Sequence, residues 1–246
     1  MKPHALLSAL LLIAADLQAA EFPAVLDWSG QVALAMPVTG VVETVAAKPG
    51  QRLKRGELMA GLNQTVYKAG VAEARAELDR LGEEEAEAKR DLERVQELYA
   101  RTVSATTELD AARLRHARAA SGLAMAQARL EKARRQLAES ELRAPFDAVV
   151  LARMAEPGLV AATPCQPNPL FNVARDDEIL ARATLDAEQA ARVRLGGKAV
   201  VEAAGGSRTG EVRGLGHLGQ GKYALEVAIG RDGRLLAGQP ATIRLP

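Results

Sequence analysis

One cysteine, Cys165, is all the chain has, so no disulfide can form within it. Its surroundings, "TPCQPNP", form a proline-rich loop with no histidine nearby, which fits a buried or inert thiol rather than a nucleophile. Aromatic residues make up only 3% of the 246 positions, and much of the 48% apolar fraction is alanine. That composition excludes a single thick core and favours thin modules strung end to end. Histidine is nearly as scarce: His4, His116 and His217 are far apart, with no metal-ligand spacing to cysteine or to one another. No G-x-S-x-G elbow or phosphate-cradling loop is present, and the glycine-rich "GLGHLGQG" from Gly214 lies between strand-like segments, where it reads as a flexible hairpin loop. No catalytic, cofactor-binding or metal residue is therefore expected, and the chain is not expected to be an enzyme. Charge of one sign is lacking too. With 32 basic and 31 acidic residues, net +1, there is no clustered positive excess for nucleic acid.

A long apolar run is also missing. Ala5 to Ala15 is apolar for about eleven residues, short of the roughly 20 that cross a bilayer, and Asp16 ends it. With Lys2 and His4 before it and Leu17-Gln18-Ala19 after it, this stretch reads as a cleavable export signal over residues 1–19, without a cysteine for a lipid anchor. The expected location is outside the cytoplasm.

What is present is a repeat. "AMPVTGVVETVAAKPG" from Ala35 and "RAPFDAVVLARMAEPG" from Arg143 keep one beat at an offset of about 108 residues, pairing Pro37 with Pro145, Val41-Val42 with Val149-Val150, and Pro49-Gly50 with Pro157-Gly158. Each copy alternates short β-like runs with Pro-Gly turns. Strands so short cannot bury a face alone, so the copies over 37–63 and 142–175 are expected to pack together.

Between them, 64–141 has almost no Pro or Gly and is rich in helix formers. In the second half Leu109, Ala112, His116, Ala119, Leu123, Ala126, Leu130, Ala133 and Leu137 step by 3 and 4. In the first half Ala74, Leu78, Leu81, Glu85, Ala88, Leu92, Val95 and Tyr99 do the same, with Glu85 the polar intruder. The short break at about 99–107, with Ser104 as the expected N-cap of the second helix, predicts an antiparallel coiled-coil hairpin. His116 on its seam reads as a tolerated core position. After residue 175, "EILARATL", "KAVVEAA", "TGEVRGL", "KYALEVAI" and "ATIRLP" read as strands, and Asp186 to Gly197 as a short capped helix. A small β-barrel over 176–246 follows, with the segment 20–36 as a possible further strand.

The doubled β-motif resembles the two halves of a lipoyl/biotinyl domain. The order of signal, split lipoyl-like domain, inserted α-hairpin and β-barrel is similar to that of the HlyD-type periplasmic adaptor family, also called membrane fusion proteins, and "LLAGQPATIRLP" looks like that family's closing barrel strand. The fold class this implies is α+β and multi-modular. The resemblance implies an adaptor of a tripartite efflux or secretion system, with an inner-membrane transporter, an outer-membrane channel of the TolC type and a ring of copies, six by resemblance, as partners. Family hairpins that dock end-on carry an Arg, a Leu four residues later and a Ser seven beyond. Arg94, Leu98 and Ser104 match with the last interval one residue shorter, and are the partner-binding residues the resemblance implies. Larger members continue into a membrane-proximal domain, whereas this sequence stops at Pro246, so pump contact is expected from the lipoyl or barrel modules or from another subunit. Two rivals remain. An envelope scaffold or binding protein would share the coiled coil without channel contact. A lipoyl-type carrier would need a lysine on a tight turn between the halves, where this chain has the hairpin.

Overall fold

The computed structural model describes residues 20–161 and 168–245. The export-signal stretch 1–19 and Cys165 lie outside these residues. The chain divides into two compact units, one of residues 31–174 and one formed by the N-terminal segment together with residues 175–246.

The first unit holds the repeat. Its strands are β2 (Val32–Leu34), β3 (Gly40–Val45), β4 (Arg52–Leu53), β5 (Leu58–Leu62), β6 (Glu141–Arg143), β7 (Ala148–Arg153), β8 (Val160–Ala161) and β9 (Phe171–Arg175), the last running one residue past the boundary; β1 belongs to the second unit. They form two four-stranded sheets in the orders β2-β9-β7-β4 and β6-β5-β3-β8. Each sheet borrows strands from both halves. Strand β4 of the first copy pairs with β7 of the second, and β8 of the second pairs with β3 of the first.

The offset seen in the sequence recurs in the backbone. Gly50 N donates to Val150 O, and its counterpart Gly158 N donates to Val42 O, both at 2.8 Å. The Pro-Gly turns close with Gln51 N to Lys48 O and Leu159 N to Glu156 O. In both, the glycine takes the positive φ that this turn requires (80° at Gly50, 89° at Gly158). Between the sheets lie Val42, Met59, Val150, Leu170, Phe171 and Val173, all buried.

Helices α1 (Thr65–Ala100) and α2 (Thr106–Glu139) rise from this module between β5 and β6. At 36 and 34 residues they extend about 50 Å. Their root is tied down by Leu62 N to Ser140 O (2.9 Å), by Gln64 Nε2 to Ser140 Oγ (3.2 Å), and by the Tyr67 hydroxyl donating to Thr39 O (2.5 Å). Leu109, Ala112, Ala119, Ala126 and Leu130 are the buried residues of α2, all on its expected seam. In α1 only Val95 is fully buried, and the rest of its stripe, Ala74, Leu78, Leu81, Glu85, Ala88 and Leu92, is half-buried. Glu85 and His116, the two polar seam positions, face each other across the hairpin, with His116 Nε2 3.0 Å from Glu85 Oε1. The seam thus keeps two polar groups by pairing them.

The second unit is a closed antiparallel barrel. Its strands are β1 (Ala20–Trp28), β10 (Glu178–Asp186), β11 (Lys198–Ala203), β12 (Gly206–Gly219), β13 (Lys222–Gly230) and β14 (Pro240–Leu245), in the order β1-β10-β13-β12-β11-β14. The N-terminal strand closes the ring by pairing with both β10 and β14. Phe22, Leu26, Ile179, Leu225, Ile229 and Ile243 fill it.

Two local expectations are corrected here. The glycine-rich 214–219 is not a loop: it continues β12, and the turn is confined to Gln220-Gly221. Earlier in the same strand Gly210 is held by packing, since a Cβ there would lie 2.6 Å from Ala228 O, whereas one at Gly216 would meet nothing within 4 Å. Close backbone approach, not flexibility, requires Gly210. The helix expected from Asp186 to Gly197 is one turn, α3 (Ala187–Ala190). Asp186 caps it with a reciprocal Gln189 bond, but nothing buries a longer stripe.

Among the ion pairs of the described residues, Arg231 is the most enclosed charge, with a 3% exposed side chain. It pairs with Asp176, donates to Leu235 O at 3.1 Å and lies 4.6 Å over the Trp28 ring. Arg231→Met should cost the barrel about 2–3 kcal/mol, less than a fully buried pair because Asp176 is 24% exposed. Urea unfolding followed by Trp28 fluorescence measures it, and an unshifted midpoint would show the pair to be ornamental.

Candidate functional site: the tip of the helical hairpin

The stretch from Arg94 to Glu108 turns the chain around at the far end of the hairpin. Helix α1 ends in a two-bond C-terminal motif: Val103 N donates to Leu98 O (3.0 Å) and Thr102 N to Tyr99 O (2.9 Å). This is the Schellman arrangement, in which the residue after the C-cap must be left-handed and is usually glycine. Here it is Thr102, at φ 62°. A β-branched residue in that region is strained by about 1 kcal/mol or more. Thr102→Gly should therefore stabilise the hairpin by about 1 kcal/mol; thermal unfolding of its helical signal is the check, and a loss of stability would contradict the strain.

The three residues expected at the tip are placed unequally. Arg94 and Leu98, four apart, share one face of α1. Arg94 is 72% exposed and paired with Asp91, which also accepts from Arg115 at 2.7 Å. Arg115 first, then Arg94, hold the Asp91 carboxyl below the usual aspartate range. Arg94 is thus aimed and exposed, while Asp91 keeps a second partner if Arg94 is drawn away. Leu98 is exposed at 37%.

Ser104 is not the N-cap of α2. Ala105 holds that position, without a side-chain cap, and Ser104 Oγ donates instead to Glu108 Oε2 at 2.6 Å. The C-terminal motif of α1 uses Thr102 and Val103, which leaves Ser104 one residue too early to cap. A second correction concerns Tyr99, expected on the seam but 41% exposed. The seam closes at Val95, where Leu92, Val95, Leu109 and Ala112 form the last apolar cluster.

Beyond that cluster Leu98, Tyr99 and Val103, the last 72% exposed, leave an apolar cap on the turn. Arg94, Arg101 and Ser104 belong to the same exposed end of the hairpin, with Glu97 and Glu108 among them. Neither Val103 nor Tyr99 is among the partner-binding residues that the resemblance implies, and Tyr99 is expected only as a seam position. Their signal was an apolar Val in a turn that otherwise reads as polar, and a seam residue beyond the last packed layer. Chemically the tip offers exposed apolar side chains in a stretch that also carries the Arg94 guanidinium and the Ser104 hydroxyl. Among the described residues no group of three or more His, Cys, Asp or Glu is placed to hold a metal, and no helix is long and apolar enough to cross a membrane.

No family model matches the chain. Among curated proteins, the multidrug resistance protein MdtA of Cronobacter turicensis is 30% identical over 121 residues, which is 49% of this chain and 29% of that protein. The match therefore spans under a third of the relative's length. Among solved structures, a MacA–MexA chimera carrying the Pseudomonas aeruginosa MexA α-hairpin domain aligns over 92% of this chain and 79% of its own, at TM-score 0.67 and 16% identity. The membrane fusion protein Spr0693 of Streptococcus pneumoniae R6 aligns over 92% and 97%, at TM-score 0.69 and 11% identity. At such identities the likeness establishes the fold, and function has to be argued from the site.

Proposed function

From the premise that the chain has the fold of the membrane fusion proteins, the HlyD-type adaptors, we propose that it is the periplasmic adaptor of a tripartite efflux or secretion system. In this role it links an inner-membrane transporter to an outer-membrane channel of the TolC type, and several copies, six by resemblance, close into a ring. The observation that carries the reading is the tip: Leu98, Tyr99 and Val103 expose apolar surface at the end of two helices of 36 and 34 residues. Nothing in the hairpin's own packing needs those side chains there. Exposed apolar groups together with polar donors are what an end-on protein contact uses. The leucine and valine fill a groove on the channel, while Arg94 and Ser104 exchange Asp91 and Glu108 for acceptors on the partner.

Two experiments test this. A cysteine at Val103 in a Cys165→Ser background, with a bifunctional reagent applied to cells, should trap an outer-membrane channel. Recovery of self-adducts alone would favour the envelope scaffold. Arg94→Gln should lower export at least tenfold while leaving helicity unchanged, because Asp91 keeps Arg115. Unaltered export would discard Arg94 as a contact.

A further inference from the structure

The two helices are electrically unlike. Helix α1 holds ten Asp and Glu against six Lys and Arg, net −4. Helix α2 holds four against seven, net +3. Part of this asymmetry is used inside the hairpin, where Asp91 takes Arg115. Part is not: among the described residues Glu83, Glu87 and Arg118 have no ion-pair partner within the chain.

The back of α2, turned away from α1, carries a second stripe. Leu114 and Met125 are 51% and 58% exposed. Eleven residues apart, they sit three turns along one face, about 140–160° around from the buried seam. Arg118 and Ser121 complete their 3–4 spacing. The hairpin itself supplies nothing to cover this stripe. The back of α1 is its complement: exposed Ala72 and Ala76 are small enough for a close approach, and Glu83 and Glu87 follow on the same side.

We propose that the back of α2 seats the back of α1 of a second copy of this chain, with Leu114 and Met125 as the apolar contact and Arg118 facing Glu83 and Glu87 of that copy. The inference rests on the ring reading above and deepens it by naming the surface. The two surfaces differ, Glu83 and Glu87 of one copy meeting Arg118 of the next with Arg90 continuing the α1 stripe, so the contact is heterologous, the type that closes into a ring. A closed ring has no rise per copy, so neighbouring hairpins stand level. Within one hairpin Leu81 lies against Gly122 and Glu85 against His116. Level neighbours therefore bring Arg118 to the height of Glu87, and Ala76 to that of Ala128. Like faces of two copies would instead set acid against acid.

The test uses the full mature chain in a Cys165→Ser background. Ala76→Cys and Ala128→Cys variants, each alone and then mixed, are oxidised and weighed under non-reducing conditions. The mixed sample should give a cross-linked dimer in large excess over either variant alone. In parallel, sedimentation should show Leu114→Glu and Arg118→Glu each raising the dissociation constant of self-association about tenfold or more, and Glu87→Arg restoring most of the loss in the Arg118→Glu background. Raising the salt should weaken the wild-type contact as well. If the chain self-associates but neither substitution matters and no mixed dimer forms, the proposed surface is wrong while the ring reading stands. If the chain stays monomeric at every concentration reached, both fall.

Discussion

Ala126→Glu should lower the thermal midpoint of the hairpin's helical circular-dichroism signal more than any other single change in α2, whereas Ala124→Glu two positions earlier should leave it nearly unmoved. Ala126 is 0% exposed on the seam, and Ala124 is exposed. A carboxylate at Ala126 has neither room nor water. Overpacking and an unpaired buried charge together cost about 3–5 kcal/mol. A hairpin that buries one narrow stripe per helix has little stability to set against that. The same glutamate at Ala124 points to solvent and should fall within about 0.5 kcal/mol of wild type. Equal effects at the two positions would mean that the seam does not hold the helices together.

Phe171→Ala is the second large effect. Phe171 is 0% exposed and heads the buried side chains by volume. It shares one buried cluster with Met36, Val42, Leu53 and Met59, so it belongs to the core built from both copies of the repeat. Truncation there should cost about 3–5 kcal/mol. The barrel core has no residue in common with that cluster, and the chain's single tryptophan, Trp28, is in the barrel unit. Two probes therefore separate the units. Amide exchange in β3, β5 and β7 should accelerate by two to three orders of magnitude, at about 1.4 kcal/mol per tenfold. Urea unfolding followed by Trp28 should keep its midpoint. A shift of both by the same amount would show one cooperative unit instead of two.

How much of this was legible in the sequence depended on the range of the interactions. The split β-module, the hairpin and the barrel each left a periodic signal: the 108-residue echo, the 3–4 spacing of Leu and Ala, and the closely spaced short strands. The identity of the paired polar groups was not legible, because Glu85 and His116 are 31 positions apart and meet only when the helices come into register. Ser104 misled because a serine before a helix is a good cap in general, and the turn geometry two residues earlier decided otherwise. Gly214 and its neighbours misled for a related reason. Glycine occurs both in loops and within strands, and only pairing with β13 distinguishes them here. At the tip, Arg94 and Leu98 could be read from spacing, whereas the exposure of Tyr99 and Val103 depended on where the last packed layer falls.

The exchange of β4 and β8 between the two sheets also bears on force. Tension along the hairpin enters the module at its root, through the Leu62–Ser140 bond and the Tyr67–Thr39 bond. It then reaches β5 and β6, which lie side by side in one sheet with β3 and β8 beyond them. Since β8 belongs to the second half of the repeat and β4, in the other sheet, to the first, neither half can be drawn out alone. Rungs in both sheets must shear together, and the mirrored pair from Gly50 to Val150 and from Gly158 to Val42 would give way in the same event. A protein that holds the end of a long lever has in this clasp a mount that yields all at once or not at all.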